Sequence, residues 1–144
     1  MWPRTIPRTL HVYWEGPLPY LALMTVVSFR KMNPAWEIVL HTAPSDPPHP
    51  TTWSTEEHSV PYVGPDYGAA LAGAADRVCV EDGGAYPPTM RADLCRTKVM
   101  IEGGVWSDMD VLWTQPLDAL RLAKDTDVAT VFELPEGAPR VFAV

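Results

Sequence analysis

An acidic pair follows a short aromatic run in the last third of the chain. Asp108 and Asp110 stand two residues apart in the run Gly103-Gly104-Val105-Trp106-Ser107-Asp108-Met109-Asp110. In an extended segment, residues i and i+2 project to the same side, so we expect both carboxylates to face one cation. Hard oxygen ligands suit Mg²⁺ or Mn²⁺, which keep open positions for water and for phosphate oxygens. The pair therefore indicates a divalent-metal site for a diphosphate ligand.

The spacing by itself is a weak signal, because the chain carries a second pair of the same kind. Asp125 and Asp127 flank a threonine, but they follow the end of a predicted helix and lack the paired glycines and the aromatic strand. We interpret that second pair as a polar loop.

Asp93 and Arg96 form a second candidate constellation just before the glycines. They are three residues apart in a breaker-free stretch, so in a helix they share one face. Such a couple can bind sugar hydroxyls while the guanidinium faces a phosphate or a developing negative charge. A plain surface ion pair explains the same spacing, and the sequence leaves both interpretations open.

The elements that must position these side chains alternate between strand and helix. A β-branched and aromatic strand over 9–14, a helix over 20–32 and a strand over 37–41 predict a β-α-β unit with a right-handed crossover. Further along the chain we predict a weak helix over 67–75, a helix over 90–102 with Thr89 as N-cap, and a helix over 117–124. We predict strands over 77–80, 128–132 and 140–144, and a strand-like run over 105–113.

This alternation predicts an α/β fold, a mixed sheet with helices on both faces. Ligands bind beyond the carboxyl ends of the strands in such sheets, and three polar stretches fall there: 14–16, 41–42 and 108–110. Six of the 16 prolines lie in a long loop over 42–66. We expect a single domain over 1–144.

Charge and hydropathy exclude several classes of protein. The net charge of −7 argues against a protein that binds a nucleic-acid backbone, which needs clustered cations. The longest apolar stretch, over 21–29, is far shorter than the ~18–20 residues that a membrane span needs. We expect a cytoplasmic protein with neither nucleic-acid partner nor membrane span.

Histidine and cysteine show no metal-ligand spacing. We interpret three histidines as solvated loop residues: His41, His49 and His58. We take His11 as a core or rim residue of the first strand, and Cys79 and Cys95 as reduced core residues.

Four ordered blocks carry a resemblance to a known family. The blocks are Ile6-Pro7-Arg8-Thr9-Leu10-His11-Val12-Tyr13-Trp14-Glu15-Gly16, Asn33-Pro34-Ala35-Trp36-Glu37-Ile38-Val39-Leu40, Ala92-Asp93-Leu94-Cys95-Arg96, and 103–111. They resemble the glycosyltransferases with a DXD sugar-binding motif, which include yeast α-mannosyltransferases, phage and capsule enzymes and, more distantly, clostridial glucosylating toxins.

The resemblance implies a Rossmann-like fold of the GT-A type and a retaining, Mn²⁺- or Mg²⁺-dependent transfer of sugar from a nucleoside-diphosphate sugar. By the resemblance, Trp14 stacks on the nucleobase and Asp93 and Arg96 hold the donor sugar. Asp110 ligates the metal directly, and Asp108 ligates it directly or through water while contacting ribose or sugar. The acceptor, whether glycan, lipid or protein, is not specified.

Two alternatives remain open at this point. Only 34 residues follow Asp110, whereas family members continue into an acceptor-binding half. We therefore interpret the chain as truncated after the DXD strand. A non-catalytic, degenerate or split donor-binding half is therefore the first alternative. The second is a phosphatase of the haloacid dehalogenase type, because the residues around Asp108 also resemble that family's nucleophile motif.

Overall fold

A computed structural model describes residues 6–44, 62–120, 129–131 and 141–143. Its main sheet has four strands, and three helices and a short 3-10 helix accompany them. In chain order the elements are β1 (Thr9–Tyr13), α1 (Tyr20–Met32), β2 (Glu37–Thr42), α2 (Gly68–Ala74), β3 (Arg77–Val80), α3 (Pro88–Glu102), β4 (Val105–Trp106), the 3-10 helix (Leu117–Ala119), β5 (Ala129–Val131) and β6 (Val141–Ala143).

The four strands of the main sheet are parallel and lie in the order β3-β2-β1-β4. Leu10 of β1 pairs with Ile38 on one side and with Val105 on the other. This confirms the β-α-β unit and gives a Rossmann-like α/β fold. The expected mixed sheet is not found, because the described antiparallel pairing, between β5 and β6, belongs to a separate two-stranded sheet.

Side chains alternate between the two faces of β1, and helices cover both. Leu10 and Val12 are fully buried in the main core with residues of α1 and α2. Tyr13 lies on the opposite face, in a smaller cluster with Cys95 and Val99 of α3. A strand buried on both faces is typical of parallel sheets. The prediction of helices on both faces is confirmed.

Helix boundaries follow local chemistry, with one correction. Helix α1 has the predicted bounds, because proline precedes it and Asn33-Pro34 ends it. Helix α3 begins at Pro88, one residue before the predicted N-cap Thr89, so Thr89 is a helical residue. Proline is favoured at the first helical position because its φ is fixed and no N–H is needed there.

The predicted strand-like run over 105–113 is wrong beyond Trp106. Strand β4 has two residues, and a turn over 109–110 follows. Met109 packs into the main core, whereas Trp106 packs against the α3 cluster on the other face of the sheet. The turn therefore allows Met109 to be buried in the main core, which an extended strand over these residues would not allow.

Several predictions fall partly or wholly outside the described residues. Residues 45–61 of the proline-rich loop and the pair Asp125 and Asp127 lie there. The segment of the helix expected over 117–124 is described only to residue 120, and there it forms a 3-10 helix over Leu117–Ala119. The strands near 128–132 and 140–144 correspond to β5 and β6. No helix among the described residues is long and apolar enough to cross a bilayer.

Candidate functional site

The order of the strands places the reversal point of the winding between β1 and β4, and we call the region beyond the carboxyl ends of these two strands the crevice. The chain builds outward from β1 through β2 to β3, and then α3 carries it back to place β4 on the other side of β1. Ligands of such sheets bind beyond the carboxyl ends of the strands where the winding reverses. Trp14 follows β1 directly, and Ser107, whose N–H donates to the His11 carbonyl at 3.1 Å, continues β4 toward the acidic pair. The predicted site residues Trp14, Asp108 and Asp110 thus follow the two strands that flank this crevice.

Asp108 and Asp110 are both exposed, in and beside the turn after β4. The indole Nε1 of Trp106 donates to Asp108 Oδ1 at 3.0 Å. Asp110 makes no hydrogen bond or ion pair with any other described residue. Asp108 and Asp110 do not lie on one side of an extended segment, as predicted, because the backbone turns over 109–110. The site that remains is a pair of water-accessible carboxylates, one of them oriented by an indole.

Arg96 connects the two constellations that the sequence singled out. It shares a helix face with Asp93, as the spacing predicted, and forms an ion pair with it; its Nη1 lies 3.9 Å from Asp108 Oδ1. Its guanidinium also lies over the ring of Trp106, at 5.9 Å from the centroid, within the range of a cation–π contact. We call these four residues, Asp93, Arg96, Trp106 and Asp108, the exposed cluster, since their charged side chains are 44–67% exposed.

Trp14 is half-buried and anchored by its polar end. Its Nε1 donates to the carbonyl oxygens of Gly16, at 3.2 Å, and Pro17, at 3.3 Å, and its ring packs against the main core. These contacts fix the indole beside the crevice. They leave the predicted stacking on a nucleobase untested.

A buried charged group at the end of β1 was missed from the sequence. Glu15 Oε1 accepts hydrogen bonds from Arg91 Nε and from the Tyr13 hydroxyl, both at 3.0 Å, and Arg91 Nη2 donates to Glu15 Oε2. Arg91 Nη1 donates to the Tyr86 carbonyl at 2.6 Å. Both charged side chains are only 2% exposed. We call Tyr13, Glu15 and Arg91 the buried triad.

Electrostatics within the buried triad keep its hydrogen bonds formed. Burial and the negative charge of Glu15 raise the pKa of Tyr13, so its hydroxyl keeps the proton that it donates. The hydrogen bonds that Arg91 donates to Glu15 raise the pKa of Arg91. The sequence signal was a carboxylate directly after the predicted strand over 9–14. Nothing in the spacing pointed to Arg91, which lies 76 positions away.

A second buried network runs across the α3 face of the sheet. His11 Nδ1 lies 3.0 Å from His41 Nε2, and His41 Nδ1 lies 2.8 Å from Glu81 Oε1. Lys98 Nζ donates to Glu81 Oε2 at 2.7 Å. The interpretation of His41 as a solvated loop residue is wrong, because it lies on β2 and is buried, whereas that of His11 is confirmed. His49 and His58 lie outside the described residues.

Oxygen acceptors lie at both ends of this network. The Gly103 carbonyl accepts from His11, and Glu81 accepts from His41, so one imidazole N–H points outward at each end. Burial and the charge of His41 lower the pKa of His11. Hydrogen bonds from Lys98 and His41 outweigh burial and lower the pKa of Glu81.

Glycine is required where β4 approaches this network. Gly104 has φ of +123°, and a Cβ there would lie 2.9 Å from the His11 ring and 3.0 Å from the Thr9 carbonyl. The paired glycines that drew attention in the sequence therefore have a packing function.

A cleft of about 530 Å³ opens between α3 and the segment that follows β3. Glu81, Arg91, Cys95 and Lys98 are among its lining residues.

Cys79 and Cys95 are free thiols, as expected; Cys95 is buried and Cys79 is half-buried. Burial raises the pKa of Cys95 to about 12. The donor atoms of His41, Glu81 and Cys95 all lie within 4.8 Å of one another.

When the sequence is compared with models of known protein families and with curated proteins, it matches none.

Proposed function

We propose that this chain is the donor-binding domain of a glycosyltransferase that takes a sugar from a nucleoside-diphosphate sugar with the help of Mn²⁺ or Mg²⁺. The GT-A form of the fold and the retaining stereochemistry belong to this proposal, and both come from the family resemblance. The observation that carries the proposal is the position of the acidic pair. Asp108 follows the strand that flanks the reversal point of a parallel Rossmann-like sheet, and it lies 3.9 Å from Arg96.

The donor set fits a hard divalent ion that keeps much of its water. Asp110 would ligate the ion, and Asp108 would do so with the oxygen that Trp106 does not hold, or through water. Mg²⁺ and Mn²⁺ are commonly bound by one or two carboxylates plus substrate phosphate oxygens. The ion, when bound, would neutralise charge on the leaving diphosphate.

The remaining side chains of the exposed cluster have roles consistent with donor binding. Arg96 is the one cation among its residues, and it can exchange its contact with Asp93 for one with a phosphate, because exposed ion pairs are weak. Asp93 is then free to accept hydrogen bonds from sugar hydroxyls. Trp14, fixed by Gly16 and Pro17, offers an aromatic surface beside the crevice for the base.

The test is a thermal-shift assay with a panel of UDP-, GDP- and CDP-activated hexoses, each with and without Mn²⁺. A ligand at 100 times its Kd stabilises the native state by about 2.7 kcal/mol, which raises Tm by several degrees in a domain of this size. We expect such a shift with at least one donor, only when Mn²⁺ is present. Asp110→Asn should remove most of it.

Asp118→Asn is the matched control. Asp118 is exposed and pairs with Arg8, and the substitution removes the same charge without touching the crevice. It should preserve the donor-dependent shift. No shift with any donor, or an equal loss in the two variants, contradicts the proposal.

Turnover separates the proposal from its alternatives. Hydrolysis or transfer of the donor sugar by the purified chain, lost in Asp110→Asn, indicates an enzyme. Binding without turnover supports a non-catalytic donor-binding domain. Phosphatase activity on p-nitrophenyl phosphate without donor binding would favour the haloacid dehalogenase alternative.

A further inference from the structure

We propose that His41, Glu81 and Cys95 form a second metal site, selective for Zn²⁺, that opens into the cleft beside α3. The site is separate from the carboxylates of the proposed donor site. It goes beyond the proposed function, and neither depends on the other. Its ligands come from β2, from the end of β3 and from α3.

The donor types favour zinc over the hard cations. A thiolate, an imidazole nitrogen and a carboxylate oxygen are the three ligand types that zinc takes in proteins, whereas Mg²⁺ and Mn²⁺ prefer oxygen. With Cys95 and Glu81 as anions and His41 neutral, the three ligands cancel the charge of Zn²⁺. This cancellation matters because His41 and Cys95 are both buried.

The distances are close to those of a tetrahedral site. Zinc bonds of about 2.0–2.3 Å at tetrahedral angles separate ligand atoms by about 3.3–3.7 Å. His41 Nδ1 and Glu81 Oε1 are 2.8 Å apart, and one ligand atom from each of His41, Glu81 and Cys95 lies within 4.8 Å of the other two. Binding therefore requires the ligand atoms of His41 and Glu81 to move apart by about 0.5–1 Å. Any two ligand atoms near the 4.8 Å limit must approach each other by about 1 Å. Small side-chain rotations supply both movements.

Two of the ligands already have partners that orient them. His41 would bind through Nδ1, and its Nε2–H would donate to His11 Nδ1, which lies 3.0 Å away. His11 is fixed in turn by its hydrogen bond to the Gly103 carbonyl. Glu81 would bind through Oε1, because Lys98 holds Oε2 at 2.7 Å. Outer contacts of this kind orient the ligands of natural zinc sites.

The fourth position of the ion would open toward solvent. Glu81 and Cys95 both line the cleft of about 530 Å³, so a water molecule or a small ligand can reach an ion held between them. Three protein ligands and one exchangeable position are typical of catalytic zinc sites, whereas structural sites are closed by four. The class of ligand predicted for the cleft is thus water or a small anion bound to the zinc.

The decisive experiment uses Co²⁺ as a spectroscopic substitute for Zn²⁺. The full chain, reduced and free of metal, is titrated with Co²⁺ while the thiolate-to-cobalt charge-transfer band and the visible d–d bands are recorded. We expect one equivalent to bind with tetrahedral d–d intensity and a charge-transfer band, and one equivalent of Zn²⁺ to abolish both.

The two cysteines of the chain provide a matched pair of variants. Cys79→Ser should keep the charge-transfer band, and Cys95→Ser should lose it. If Cys95→Ser does not fold, as judged by circular dichroism, retention of the band in Cys79→Ser still identifies Cys95 as the ligand. Absence of the band in the folded wild-type chain, or its survival in folded Cys95→Ser, overturns the proposal.

Two further variants complete the test. His11→Asn removes the partner of His41 without removing a ligand, so it should weaken Zn²⁺ binding about 10- to 100-fold at unchanged stoichiometry. An unchanged affinity in folded His11→Asn would contradict the role assigned to His11. Asp110→Asn should bind Co²⁺ like the wild type while losing the Mn²⁺-dependent donor shift. This crossed pattern separates failure of the zinc site from failure of the proposed donor site.

Discussion

Two arginines five residues apart on α3 occupy opposite environments. Arg91 is buried in the triad with Glu15 and Tyr13, and its guanidinium hydrogen bonds are filled by a carboxylate and a backbone carbonyl. Arg96 is 44% exposed, forms an ion pair with Asp93, and lies 3.9 Å from Asp108. Both arginines lie on one helix and form ion pairs. The pair of Arg91 with Glu15 joins the helix to the end of β1, whereas the pair of Arg96 with Asp93 is exposed and available to a ligand.

The two arginines differ in what takes the place of the partner when it is removed. Water does not reach a buried charge to replace its partner, so breaking a buried pair strongly destabilises the fold. An exposed charge is solvated by water, and its pair contributes little to stability. The comparison predicts a ranking of effects on the free energy of unfolding.

The largest effect should come from Glu15→Gln. It leaves the buried guanidinium of Arg91 without its anionic partner, so we expect a loss of about 3–5 kcal/mol in the free energy of unfolding. Urea denaturation followed by circular dichroism measures it. A loss below 1 kcal/mol would mean that the triad is hydrated in solution and would erase the contrast with Arg96.

Tyr13→Phe should cost less, because it removes one hydrogen bond to a charged group and leaves the ion pair in place. We expect about 1.5–3 kcal/mol. The pKa of Tyr13 is raised in the folded chain, so its contribution is complete below about pH 10 and falls as the pH rises above that value. Unfolding measured at pH 8 and at pH 11 should show the difference between wild type and Tyr13→Phe shrinking at the higher pH.

Asp76→Asn probes a half-exposed pair. Asp76 accepts hydrogen bonds from Arg30 and from the backbone N–H of Ile38 at 2.7 Å, and these bonds lower its pKa below 3.8. The side chains are 32% and 47% exposed, so we expect about 1 kcal/mol or less. The contribution is present above about pH 4 and is lost as the pH falls through the lowered pKa. A stability difference that persists unchanged at pH 2 would contradict this account.

Arg96→Met should have the smallest effect on stability, about 0–1 kcal/mol, because its contacts with Asp93 and Asp108 are exposed. Its effect on ligand binding should be large by comparison. If the proposed function is correct, the Mn²⁺-dependent shift in Tm by the donor is lost although the unliganded Tm is almost unchanged. A strongly destabilised Arg96→Met would place Arg96 with Arg91 among the structural residues.

Much of the fold was predictable because it depends on local chemistry. Proline and asparagine set the bounds of α1, and β-branched runs flanked by breakers gave β1 to β3 within one residue. The extent of β4 was not predictable, because a turn that buries Met109 in the main core depends on which face of the sheet that core occupies. The error at Thr89 has a local cause instead, because the preference of proline for the first helical turn overrode a plausible cap.

The candidate site was likewise predictable where it depends on local spacing and not where it depends on distant contacts. The spacing of Asp93 and Arg96 correctly predicted that they share one helix face, where they form an ion pair. His41 was assigned to solvent because the proline-rich stretch begins beside it, and its burial depends on residues that are distant in sequence, such as His11 and Glu81. Glu81 and Cys95 could not be grouped with it, because their spacing matches no metal-binding motif.

The sequence by itself determined the alternation of strands and helices, the edge of the sheet where polar residues gather, and the acidic pair after the glycines. These follow from properties that act over a few residues: periodicity, capping, and the preferences of glycine and proline. Only the tertiary structure decided the strand order, the burial of Glu15 with Arg91, and the meeting of His41, Glu81 and Cys95. Those contacts join residues up to 76 positions apart, and no local pattern encodes which distant side chains share a low-dielectric interior.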